Sequence, residues 1–72
     1  MRKPVTIELT GDEALVLFEW LAKLDEAKLV EGEAEKRVLA GVEAALERVL
    51  VEPFEKNYGE LVEQARQRIV GS

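Results

Sequence analysis

The sequence contains no cysteine and no histidine. Without cysteine, no disulfide staples the fold and no thiolate metal site exists. Without histidine, the commonest zinc ligand and the usual base of a nucleophilic triad are missing. Aromatic residues are scarce, with only Phe18, Trp20, Phe54 and Tyr58. No uncharged run approaches the roughly 20 residues of a membrane-spanning helix. Hydroxyl side chains are few as well: Thr6, Thr10, Tyr58 and Ser72. These absences leave little material for catalysis, so neither an enzyme nor a cofactor is expected.

Seventy-two residues allow one small domain, spanning 1–72. A chain of this size buries only about 60% of the surface its unfolded form exposes. Small cores supply no more than roughly 3–5 kcal/mol unless a disulfide, a metal or a second copy helps. With the first two helpers removed, self-association remains, and a homodimer is expected. Ten basic and 15 acidic side chains give a formal charge of −5. That balance disfavours nucleic acid and anionic lipid as partners. The charge is uneven. Residues 8 to 35 carry nine acids against only Lys23 and Lys28, whereas residues 36 to 72 carry six of each sign. The first half is therefore the better docking surface for a basic protein. The opening stretch, MRKPVTIELTGDE, has no apolar core behind its two bases, so a cytoplasmic location is expected. Abundant Glu and Lys with few amides is the composition of a heat-tolerant source.

The pattern along the chain predicts a mainly α fold, with a short N-terminal strand followed by three helices in a dimer. Residues 4–9 alternate: Val5, Ile7 and Leu9 share one face, with Thr6 and Glu8 on the other. That period predicts a half-buried strand. Thr10-Gly11-Asp12-Glu13 reads as a capping box before an apolar run, so the first helix should cover 11–28. Gly32 marks a joint, and the second helix should cover 33–51, stopped by Pro53. Asn57 is the expected cap of a third helix over 58–70, with Gly71 in the left-handed conformation after it. Pro53 and Phe54 should pin the connection onto the core. Tyr58 should turn its ring inward and its hydroxyl to water. Gly41, inside the second helix beside Ala34 and Ala45, should serve packing, because a mid-helix glycine costs about 1 kcal/mol.

The first helix is the anomaly. Around a helical wheel, its apolar arc covers about 260°, against about 160° for the second helix and about 100° for the third. On the second helix, Lys36, Glu43 and Glu47 face away from the apolar stripe. Two short partners cannot cover so apolar a first helix, and a second chain should cover the remainder. The expected interface is the Val16–Trp20–Leu24 side of that helix. The lone strand points the same way, because its unpaired backbone groups need a partner strand. Val5, Ile7 and Leu9 are therefore interface candidates too. Asp25, Glu26, Glu31, Glu33 and Glu35 gather around the first joint, but no Asp-x-Asp-x-Asp-Gly loop is present, so no metal site is expected.

KPVTIELTGDEALVLFEWLAKL resembles the start of the ribbon–helix–helix regulators and antitoxins. That resemblance implies a strand-paired dimer and, as an alternative function, DNA binding. At the outward strand positions, where that family carries basic or polar residues, stand Thr6 and Glu8. Glu8 would repel phosphate. Over nearly its whole length the chain also resembles short bacterial proteins with an ELTGDEALVLFEWL-like start and a VEPFEKNYGELVEQAR-like end. That likeness implies membership of such a group and no activity.

Overall fold

The first helix begins where the capping box places it. In the computed structural model, which describes residues 2–71, the Glu13 N–H donates to Thr10 Oγ1 at 3.1 Å and the Thr10 N–H donates to Glu13 Oε1 at 2.8 Å. Two otherwise orphaned backbone donors are thereby satisfied, and α1 runs over Gly11–Glu26. It ends two residues before the expected stop at 28. Lys28 adopts φ 55°, the left-handed region, and closes a Schellman motif. The Lys28 N–H donates to the Asp25 carbonyl and the Leu29 N–H to the Leu24 carbonyl, both at 3.1 Å. Lys28, not Gly32, thus breaks the helix. Gly32 has an ordinary negative φ and caps α2, Glu33–Val49.

Leu50 leaves the helical conformation, so α2 stops two residues before the expected 51. Its side chain is buried. A 3-10 turn, Glu52–Phe54, follows with Pro53 inside it. Phe54 does not pin this connection: it is 75% exposed, and Leu50 supplies the anchor. The third helix, α3, covers Tyr58–Gly71, with the Asn57 carbonyl accepting from the Leu61 N–H. Gly71 is its last helical residue and has no positive φ. Ser72 lies outside the described residues.

Residues 4–9, expected as a strand, form no regular secondary structure, and there is no strand among the described residues. The physical reason is the ladder. A strand exists only against another strand, and alternation alone supplies no partner for its N–H and C=O groups. Val5 and Ile7 stand exposed instead.

The two main helix pairs are α1 with α3 and α1 with α2. The core is small: Ala14 and Leu15 of α1, Leu50, and Val62 and Ala65 of α3, bordered by Val16, Phe18, Leu46, Tyr58 and Leu61. Ala14 and Ala65 let α1 and α3 approach closely, since neither holds the helices apart with a long side chain. Two polar contacts tie the same pair. Arg68 grips Asp12 with two parallel bonds, Nη2 to Oδ1 at 2.8 Å and Nε to Oδ2 at 2.9 Å. The Tyr58 hydroxyl donates to Glu19 Oε1 at 3.0 Å, where open water was expected.

The left-handed Lys28 generates a prediction. A β-carbon in that region costs about 1–2 kcal/mol, and glycine escapes the cost but loses more freedom on folding. Lys28→Gly should raise the unfolding free energy by about 0.5–1 kcal/mol, read as a higher urea midpoint at unchanged slope.

Candidate interaction surface

The surface of the described residues carries hollows of differing character. Where the start of α1 meets the end of α3, Thr10, Asp12, Glu13, Gln64, Gln67 and Arg68, with Ile69 and Gly71, line an open hollow of about 810 Å³. Its strongest acid and base are spent on each other. The bidentate Arg68 guanidinium holds the Asp12 carboxyl below its ordinary value. A second hollow, about 580 Å³, lies at the first joint between Asp25, Lys28, Val30, Glu31 and Lys36, with both charge signs on its wall. Among the described residues no cluster of acids is placed to hold a metal ion. No helix among them is long and apolar enough to cross a membrane.

The third hollow is different in kind. Leu17 and Leu21 of α1, and Ala34, Val38, Leu39 and Val42 of α2, form an apolar groove of about 620 Å³. Ile7 and Val30 complete its lining, Glu35 is the one charged residue on its wall, and α3 contributes nothing. α3 covers one face of the α1–α2 hairpin, through Leu15, Phe18, Leu46 and Leu50. The other face stands open.

The expected interface residues divide across this picture. Trp20 is 60% exposed, and its position on α1 lies next to those of Leu17 and Leu24 on the open side. Leu24 is half-buried. Val16 is half-buried too, but it packs against the core cluster, so it belongs to the interior rather than to an outer face. Val5, Ile7 and Leu9 are exposed, and Ile7 alone lines the groove.

Sequence patterning misplaced one side of α2. Glu43, expected to face away from the packed side, is half-buried, and its Oε1 has no hydrogen-bond partner. Burial first, then the charges of Asp25 and Glu47, lift its carboxyl above the ordinary value. Meanwhile Val38 (66% exposed) and Val49 (74%) look outward. The half-buried Leu39, Glu43 and Leu46 lie at one edge of the apolar stripe of α2, and the other half of the stripe is bare. None of its residues is fully buried. The missed signal is the short connection at 27–32 together with the Leu50 anchor, which between them fix the rotation of α2.

The extent of exposure is measurable. The chain presents 6102 Å² to water, against about 4,500 Å² for an average folded monomer of its mass. Its radius of gyration is 13.3 Å, against about 11 Å for a compact chain of this length. Residues 2–9 are exposed throughout, and Val38 and Val49 on the open hairpin add exposed apolar surface. No protein-family model, no curated protein and no solved structure matches the chain. Function must therefore be read from this geometry.

The two perturbed carboxylates make opposite predictions. Asp12 is lowered in the fold, so its stabilising effect is present above the ordinary value of 3.8 and fades as pH falls through the lower folded value. Glu43 is raised above 4.5, so its charge opposes folding at neutral pH, and that penalty disappears as pH falls through the raised value. Glu43→Gln should therefore stabilise the protein at pH 7, by an amount on the order of 1 kcal/mol. The gain should shrink towards zero near pH 4, as followed by urea unfolding across the pH range.

Proposed function

We propose that the protein is a small, acidic, non-catalytic interaction module that works as a homodimer, with the open face of the α1–α2 hairpin as its self-association surface. One observation carries this reading: a hairpin whose apolar face, with an exposed tryptophan beside it, is left uncovered by its own chain. A stable dimer buries about 800 Å² per partner, and the surplus over an average monomer is large enough to supply it. Burying one large apolar side chain contributes roughly 1.5–3 kcal/mol. A few of them, doubled by symmetry, exceed the margin of so small a core.

Dimerisation through that face would leave the exposed acids around the joint, including Glu26, Glu31 and Glu33, open to a basic protein partner. The two kinds of contact differ in their salt response. Contacts to a basic partner weaken with salt. An apolar dimer of two chains that each carry −5 strengthens as salt screens their repulsion. The cytoplasm is the compartment we assign.

Trp20 is the only tryptophan, so its fluorescence reports this face directly. Sedimentation equilibrium should give a dimer at micromolar concentration, and dilution should shift the emission to the red. Trp20→Ala should weaken association at least about tenfold while leaving helicity intact, because an exposed side chain contributes little to the monomer. Unchanged association would remove Trp20 from the interface. A monomer at all concentrations would end the reading. A ribbon–helix–helix regulator would instead need residues 4–9 as a strand, with cations outward. No retention on heparin at about 50 mM salt is expected, since phosphate contacts are strongest at low ionic strength. Retention would favour the regulator.

A further inference from the structure

Seven residues of α2 are exposed and small or apolar. Six of them, all but Ala40, are Ala34, Val38, Gly41, Val42, Ala45 and Val49, and at the helical repeat these fill one arc of about 100°. Their order along the helix is symmetric about its middle. In an antiparallel pair, each of these residues meets a residue of the second copy so that the two numbers sum to 83. Ala34 then meets Val49, Val38 meets Ala45, and Gly41 meets Val42. Every contact sets one valine against one small residue. The same register overlaps the two helices along almost their full lengths, since α2 spans Glu33–Val49.

Gly41 supplies a second observation. A glycine inside a helix costs about 1 kcal/mol relative to alanine. A β-carbon built on Gly41 would meet nothing within 4 Å in its own chain. Packing within the chain therefore does not require the glycine. A valine of a neighbouring helix at close approach would.

We infer that two copies pair through α2 in antiparallel orientation, with Gly41 of each copy receiving Val42 of the other at the two-fold axis. This rests on the homodimer reading above and specifies its seam. The valine-against-small pattern matches shape across a closed, self-complementary interface. The pairing also sets the two helix dipoles against each other in the favourable sense. At the rim, Arg48 of one copy approaches Arg37 of the other. Arg37 already engages Glu33 of its own chain at 3.5 Å, so the pairing carries a like-charge rim that salt relieves.

The absence of native cysteine makes thiol cross-linking unambiguous. Val38→Cys and Ala45→Cys chains, one of them isotope-labelled, are mixed, exchanged and oxidised, and the products are read by mass. The inferred register puts residues 38 and 45 of different copies together, within the separation of about 7 Å that a disulfide tolerates. A mixed cross-link is the expected result. Val38→Cys alone should not link, because seven residues separate the two 38 positions by roughly 10 Å along the axis. Self-linking of Val38→Cys would indicate a parallel pair and overturn the inference. A dimer in sedimentation with no cross-link would overturn the seam and leave the homodimer reading standing. A monomer throughout would overturn both. Ala45→Glu adds a check that spares the fold, since residue 45 is exposed. It should raise the dimer dissociation constant at least about tenfold with unchanged helicity. Unchanged association would likewise overturn the seam.

Discussion

The close packing of α1 on α3 is the contact on which the rest of the molecule depends. Ala14 and Leu15 cluster with Val62 and Ala65, and the two alanines leave the backbones room to approach. Asp12–Arg68 and Glu19–Tyr58 then tie the two helices on either side of that apolar contact. The bidentate pair lies at the surface, within reach of solvent, so it acts mainly on register and angle, and the apolar contact carries the energy. Burial and the Glu19 carboxylate hold the Tyr58 phenol protonated well above its ordinary range, so this tie persists through any physiological pH. With α1 fixed against α3 on one side, only its other side is left for α2.

That geometry decides what α2 can do. It reaches α1 at an edge of its own apolar stripe, so leucines at 39, 46 and 50 turn inward while valines at 38 and 49 remain in water. A glutamate is drawn towards the interior in exchange. For an isolated chain this is an uneconomical arrangement, with apolar groups wet and a carboxylate oxygen dry. It becomes consistent once the valine side is treated as the surface of an assembly. Rotating α2 to bury the valines in its own chain would expose Leu46 and draw Leu50 away from the core.

Local signals were legible in the sequence, and relations between distant residues were not. Thr10 and Glu13 announced the start of α1, and all three helices begin at the positions their spacing predicted: 11, 33 and 58. The ends were less clear. Lys28 takes a left-handed conformation that its residue type does not advertise, so the length of α1 was overestimated. The alternation at 4–9 marked extended character but could not create the second strand that a ladder needs. Phe54 stands exposed because an aromatic ring is buried only where the fold offers it a pocket, and at this connection Leu50 is the buried residue. Asp12–Arg68 and Glu19–Tyr58 are separated by 56 and 39 residues, and nothing near either pair hints at its partner. The excess apolar surface of α1 was visible on a helical wheel, and Trp20 does stand exposed. Which flank of α2 would share that exposure depends on a rotation set by loops at both its ends.

Because α2 contains no fully buried residue of its own, the molecule holds two regions of unequal firmness. α1 and α3 should open only when the whole chain unfolds. α2 is joined to them along one edge, and its amides should exchange with solvent deuterium through smaller, more frequent openings. A protein built this way keeps one half as a fixed platform and leaves the other half adjustable. The helix that α1 holds least firmly is free to settle against whatever it meets, without the platform having to yield.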